Sequence, residues 1–421
     1  MKPWIKWTLR IGGGLFAVLL VVVIGLVVYV NSSWKRVYER PVVDMKAPND
    51  PATLERGEYL FKNGFGCWDC HSPVMDARVS PTGGRAFDLR NVGPGFGIFY
   101  SRNITPDEET GIGKWSDGQV VRALREGLRP DGTVLFPVMP VEALRGLSDE
   151  DALSIVAYLR SLKPVSTEVK ENEPSFTAKA LFTFGVLRPE QQITGPIPTP
   201  AQGVTIEYGK YLANHAAPCM DCHTPRDLSD GSFYRDSTFA GSTIRFGQDE
   251  AGVDVETYAR NIRPDPETGI GNWSEEQFLD AVRAGMRPDG TVLSTHMPYA
   301  HFGLLEEDDI KAIFLYLKSL EPIKRTTPPP IFSERYRNGT GIERGKVIFK
   351  NSCMICHGEE GKGAAPTSAV LAELAPSIND QQLKEFINGG NVGLRMPAFG
   401  KTLSSDQIDD VIAYIRTFPK P

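Results

Sequence analysis

Cys67-Trp68-Asp69-Cys70-His71 recurs as Cys219-Met220-Asp221-Cys222-His223 and again as Cys353-Met354-Ile355-Cys356-His357. Cys-x-x-Cys-His is the attachment spacing of c-type haem. Two thiols add to the vinyl groups and fix the macrocycle, and the adjacent imidazole, unable to move away, meets the iron. A dithiol redox pair or half a zinc site also uses Cys-x-x-Cys. Neither requires His at the next position, which is filled in all three copies. The copies use up all six cysteines, so no disulfide framework competes for them. The sequence thus predicts three covalently attached haem c groups. Cys67, Cys70, Cys219, Cys222, Cys353 and Cys356 are the attachment thiols, and His71, His223 and His357 the proximal ligands.

The sixth ligand decides between an electron carrier and an open, catalytic iron. Working downstream from each signature, a Met-Pro pair precedes the last helix of each copy: Met139-Pro140, Met297-Pro298 and Met396-Pro397. A methionine usually fills a core gap, but its return at the same place three times argues for a ligand. After His357 no further His occurs and Met396 is the only Met. In the first copy no second His exists; Met75, four residues after His71, falls on the proximal side, which leaves Met139. The second copy stays open, because His296, His301 and Met286 lie near Met297. His/Met ligation of all three irons would give relatively oxidising centres.

Each copy reads as helix, signature, variable loops, Met, helix. Gly57-Glu-Tyr-Leu-Phe61, Gly209-Lys-Tyr-Leu212 and Gly345-Lys-Val-Ile-Phe349 open the copies. Ser116 with Gln119, Ser274 with Gln277 and Ser404 with Gln407 have capping-box spacing. Apolar stripes such as Leu153–Leu159 and Ile408–Ile415 have helical period and are core. Asn103 and Asn261, like Met139 and Met297, are 158 residues apart, whereas Cys67 and Cys219 are 152 apart. The first two copies are therefore a duplication whose length difference lies in the Gly/Pro-rich excursion after the signature. The expectation is an all-α fold: three tandem cytochrome c domains at residues 50–165, 204–323 and 340–421, behind an N-terminal membrane anchor at 1–40. Residues 164–204 and the stretch around Thr326-Thr-Pro-Pro-Pro330 read as linkers.

Residues Ile11–Val30 form an apolar run whose twenty residues span about 30 Å as a helix, one hydrocarbon thickness. Lys2, Lys6 and Arg10 precede it, and Trp4, Trp7, Tyr29 and Trp34 suit the interfaces. Its length and the lack of an Ala-x-Ala site favour a retained single-pass anchor over a cleaved leader. Because c-type haem is attached outside the cytoplasmic membrane, the haem-bearing part is placed in the periplasm, on the inner membrane. Without the anchor, the chain from about Ser33 is expected to be soluble. A net charge of -6 and the absence of a basic tract exclude nucleic acid as a partner. Arg102, Arg260, Trp115 and Trp273 suit haem propionates or, equally, the bracing of a long loop. Asp107-Glu-Glu109 lacks the ligand spacing of a calcium loop and reads as a solvated turn.

The arrangement resembles the triheme cytochrome c subunit of bacterial membrane-bound periplasmic dehydrogenases, which serve alcohol, aldehyde, gluconate or sugar dehydrogenases. The signatures, Asn103-Ile-Thr-Pro-Asp107, Thr110-Gly-Ile-Gly113 and Trp115 with their second-copy equivalents, and the three Met-Pro pairs carry the resemblance. It covers nearly all of the chain beyond the anchor. The retained anchor departs from members whose leader is removed and is more like the partner of a molybdenum-dependent aldehyde dehydrogenase. The resemblance implies an electron-transfer subunit, not itself an enzyme. Oxidation would occur on a dehydrogenase catalytic subunit of aldehyde or alcohol type, and the electrons would leave to membrane quinone or a terminal oxidase. Two other readings are a relay feeding an oxidase without a dehydrogenase, and a haem peroxidase-like enzyme, which needs an open iron.

Overall fold

Three glycines determine how the helices meet. A Cβ on Gly57 would come within 1.9 Å of the Ser154 carbonyl oxygen, one on Gly209 within 1.8 Å of Ala312 O, and one on Gly345 within 1.9 Å of Asp410 O. Only hydrogen fits there, so each opening helix (Pro51–Tyr59, Ile206–Tyr211, Gly341–Ser352) lies backbone to backbone on its closing helix (Asp149–Ser161, Glu307–Ser319, Ser405–Ile415). The same tyrosine flanks every crossing: Tyr158, Tyr316 and Tyr414. The structure, a computed structural model, describes residues 2–419 apart from 75–77, 91–94, 228–230, 248–253 and 364–368. Met75 lies outside the described residues.

The closing helices bury the stripes read from sequence, Ile155, Val156 and Leu159 in copy one and Ile408, Val411, Ile412 and Ile415 in copy three; copy two adds Ile310, Ile313 and Leu317. Each such side chain contributes about 1.5–3 kcal/mol by leaving water. All three capping boxes form with both hydrogen bonds, and Asn379 with Gln382 adds another.

The first signature cysteine follows the crossing glycine by ten positions in copies one and two and by eight in copy three. The extra length is taken up as one π turn, Leu60–Gly64 and Leu212–Ala216. There Phe65 N–H donates to Leu60 O (3.0 Å) and Ala217 N–H to Leu212 O (2.7 Å). The third opening helix runs uninterrupted, with Cys353 N–H on Phe349 O at 2.8 Å.

The chain is mostly helical, as expected, with a small strand content that the sequence did not show. Among the described residues there are two small antiparallel sheets: Ala86–Asp88, Gly97–Tyr100 and Glu173–Pro174; and Arg245–Phe246, Val255–Tyr258 and Ile331–Phe332. Strands of two to four residues are too short to show a period. In each sheet the third strand comes from the following linker. That linker also folds back as helices, Phe176–Thr183 and Glu334–Asn338.

Copies one and two pack face to face with reciprocal contacts. Tyr59 Oη donates to Asp309 (2.6 Å) and Tyr211 Oη to Asp151 (2.6 Å). In return, Glu306 N–H donates to Tyr59 Oη (3.0 Å) and Ser148 N–H to Tyr211 Oη (3.2 Å). Residue i meets j and j meets i, the signature of a two-fold interface, here between duplicated halves of one chain. Burial, reinforced by the facing carboxylate, pushes both phenols above their usual range, so they remain donors. One continuous apolar core runs through both copies. Copy three has its own core, to which Val255 and Val292 of copy two contribute. It is tied to copy two by Val292 N–H on Thr402 Oγ1 and Thr295 Oγ1 on Asn351 O, both 2.9 Å.

The N-terminal helix, Pro3–Ser33, is 31 residues long and apolar enough to cross a membrane, with its central window wholly uncovered by protein. It is a candidate membrane anchor.

Candidate haem sites

Each signature histidine is held in the same way. His71 Nδ1 lies 2.8 Å from Arg102 O, His223 Nδ1 2.7 Å from Arg260 O, and His357 Nδ1 2.9 Å from Ala369 O. A carbonyl oxygen only accepts, so Nδ1 carries the proton in each ring and Nε2 is left with a free lone pair. A backbone carbonyl that accepts from Nδ1–H and so fixes the tautomer is what a metal-binding imidazole needs. Burial holds all three rings below the usual histidine value, which keeps them neutral.

None of the six signature cysteines forms a disulfide. Burial pushes Cys67, Cys219, Cys222 and Cys353 up to about 12, and Cys70 and Cys356 up to about 11. A thiol-exchange centre needs the opposite shift, a thiolate at neutral pH. The redox-dithiol alternative therefore has no electrostatic support.

In copy three, Cys353, Cys356, His357 and Met396 line one cavity of about 340 Å³, walled by Phe349, Leu383 and other apolar side chains. The turn that presents Met396 has Arg395 in the left-handed region (φ +54°) and Met396 N–H on Asn391 O at 2.9 Å. Met139 and Met297 occupy turns that match each other and differ from that of Met396. Met139 N–H bonds Phe136 O (3.2 Å) and its carbonyl accepts from Val141 N (2.8 Å); Met297 N–H bonds Ser294 O (3.0 Å) and its carbonyl accepts from Tyr299 N (2.7 Å). Of the competing histidines, His296 Nδ1 bonds Ser294 Oγ at 2.9 Å. His301 is buried against Gly66 and Trp68 of copy one.

Sequence reasoning missed a set of arginines. Gly127-Leu-Arg129-Pro-Asp131-Gly132 returns as Gly285-Met-Arg287-Pro-Asp289-Gly290, again 158 residues on, and that repetition was the available signal. Burial and then the nearby Arg102 charge pull Arg129 below the ordinary arginine value. Burial dominates at Arg287, where Arg260 acts in the same direction and Asp289 opposes it. Two guanidinium groups brought together in this way are a natural receptor for carboxylates. In copy three, Arg283 and Arg395 both line the cavity, and Arg283 Nε is buried with no hydrogen-bond partner. Arg102 and Arg260 also brace loops, donating to Lys170 O (3.2 Å) and Thr327 O (2.9 Å).

The Asn-Ile-Thr-Pro-Asp motif is structural. Asn103 Nδ2 donates to Thr110 Oγ1 (2.9 Å) and Val165 O (2.8 Å), and Asn261 repeats this with Thr268 and Ile323. Asp107 accepts from Thr110 N–H and Oγ1 at 2.7 Å, closing the turn read from sequence.

Paired thiols, an imidazole with Nε2 free, facing arginines and an apolar cavity fit haem c. The comparisons agree. A family model described as "Cytochrome C oxidase, cbb3-type, subunit III" matches residues 340–415. The cytochrome c subunit of a quinone-dependent alcohol dehydrogenase from Gluconacetobacter polyoxogenes is 30% identical over 399 residues, covering 87% of this chain and 81% of the relative. The chain belongs to the cytochrome c subunits of membrane-bound dehydrogenases. This cytochrome is also 29% identical to a gluconate 2-dehydrogenase cytochrome c subunit from Pantoea cypripedii, over 87% of the chain and 85% of the relative. It is 28% identical to a fructose dehydrogenase cytochrome subunit from Gluconobacter japonicus, over 86% and 78% respectively. Haem c is thus this cytochrome's cofactor, and its relatives are the cytochrome subunits of dehydrogenases that differ in substrate.

Proposed function

We propose that the chain is a membrane-anchored electron-transfer subunit with three haem c domains on the periplasmic face of the inner membrane. It would pass electrons from a dehydrogenase catalytic subunit, of alcohol or aldehyde type, to membrane quinone or a terminal oxidase. The observation that carries this is the copy-three cavity, where a proximal histidine, two attachment thiols and a Met-Pro methionine converge. When bound, each haem supplies a one-electron couple whose potential the axial ligands set. The thioether-forming pairs would fix each macrocycle. His71, His223 and His357, each locked through Nδ1, would offer Nε2 from one side, and Met139, Met297 and Met396 would close the other. Arg102 with Arg129, Arg260 with Arg287, and Arg283 with Arg395 would neutralise the propionates. His301 packs against Gly66 and Trp68 of copy one, its buried Nε2 without a hydrogen-bond partner; this packing on the neighbouring copy favours Met297 as the second distal ligand.

The short segment after Met297 supports a relay among the three sites. Tyr299 and Ala300 line the copy-three cavity, and His301 packs on the loop before Cys67. With Met297 as a ligand, the five consecutive residues 297–301 would adjoin all three haem positions.

The test is to purify the tagged full chain from gently solubilised membranes, identify its companions, and add alcohols or aldehydes. A dehydrogenase subunit should co-purify, and its substrate should reduce the haem bands. A chain that comes away alone and turns over peroxide would overturn the proposal in favour of a haem peroxidase-like enzyme.

A further inference from the structure

The anchor helix is exposed along its apolar length up to Tyr29, and then Val30 is completely buried. What covers it is the helix Phe176–Thr183, from the stretch that reads in sequence as a solvated linker. Thr183 Oγ1 reaches Val30 O at 3.5 Å, Lys179 Nζ donates to Asn31 Oδ1 at 2.9 Å, and Phe182 packs on Trp34 with ring centroids 6.3 Å apart. This helix therefore sits at the level where the apolar run ends.

It carries Phe176 at 46% exposure, and the turn after it carries Phe184 at 59% and Val186 at 46%. Single exposed apolar residues need no explanation. Three large ones beside the end of a membrane anchor do. The charges fit as well: residues 29–38 and 175–188 hold Lys35, Arg36, Lys179 and Arg188 and no acidic residue. An apolar edge flanked by bases is the pattern of a segment lying in the headgroup layer of an anionic bilayer.

We propose that Phe176–Val186 is a second membrane contact, lying in the lipid interface beside the anchor and pinning copy one to the bilayer. This rests on the reading of Pro3–Ser33 as a membrane span. It also fixes an orientation. Phe182 packs on Phe136 (6.2 Å between centroids), three residues before Met139, so the Met139 turn is held on the membrane-facing side of the molecule. Contrary to the expectation from sequence, deleting the anchor would not remove all membrane affinity.

The experiment uses the full haem-loaded chain in liposomes of phosphatidylethanolamine and phosphatidylglycerol. Phe184→Cys, Val186→Cys, Val22→Cys and Glu385→Cys are each spin-labelled, the native cysteines being blocked as thioethers. Collision rates with oxygen and with a water-soluble nickel chelate report depth. The label at 22 should be deep, and that at 385 aqueous. Those at 184 and 186 should favour oxygen over the chelate several-fold relative to 385. Labels at 184 and 186 that match 385, with 22 still deep, would overturn the second contact while leaving the anchor standing. An aqueous label at 22 would overturn the anchor reading and this proposal with it.

Discussion

Met396→Ala should convert one haem of the full chain from low-spin to high-spin and lower its midpoint potential by on the order of 0.1–0.3 V, out of the ~0.8 V that axial ligation commands. The thioether sulfur would be the sixth ligand and favours the ferrous state, so its loss both opens the iron and makes it less oxidising. Met139→Ala and Met297→Ala should do the same to one haem each. The remaining two haems should keep their spectra, because the three methionines sit in separate turns. Electron delivery from the dehydrogenase should slow in each variant, while its reaction with artificial acceptors should not. The second copy is the sharpest case. If Met297→Ala stays low-spin at an unchanged potential, His296 or His301 is the ligand instead.

Gly345→Val should be among the most damaging single substitutions in the chain. The added Cβ falls 1.9 Å from the Asp410 carbonyl oxygen, which is backbone and cannot rotate aside. The opening and closing helices of copy three must separate by more than an ångström, losing contacts along the Ile408, Val411 and Ile412 stripe. A loss of about 3 kcal/mol or more is expected. Gly57→Val and Gly209→Val should act alike through Ser154 and Ala312. Gly389→Ala is the control: nothing lies within 4 Å of its added Cβ, and in a helix the change should be neutral or stabilising by up to about 1 kcal/mol. Thermal unfolding and the yield of covalently attached haem read both outcomes.

These crossings show what was legible in the chain and what was not. The haem signatures, Met-Pro pairs and capping boxes are local patterns, and the residues that carry them are contiguous or three apart. The crossing glycines were visible as the start of each repeat, but their purpose depends on a carbonyl some seventy to a hundred residues away. Pairing at that distance also hid the third strand of each small sheet, which comes from what looked like a linker. The Tyr59–Asp309 and Tyr211–Asp151 exchange follows from the duplication only once the two halves are known to pack face to face. Arg129 and Arg287 stood in a repeated Arg-Pro-Asp-Gly, but that stretch reads first as a turn; their proximity to Arg102 and Arg260 appears only in three dimensions. The helix Phe176–Thr183 lacked a partner in sequence because what it packs on is the end of the anchor, some 150 residues earlier.

As proposed, this cytochrome would hold three closed haem irons and do no substrate chemistry of its own. Low-temperature electron paramagnetic resonance of the ferric full-length chain, with spins quantified against chain concentration, tests it most directly. Three low-spin haems per chain and no high-spin signal are predicted. Fewer than three haems, or a native high-spin haem that binds cyanide, would contradict it.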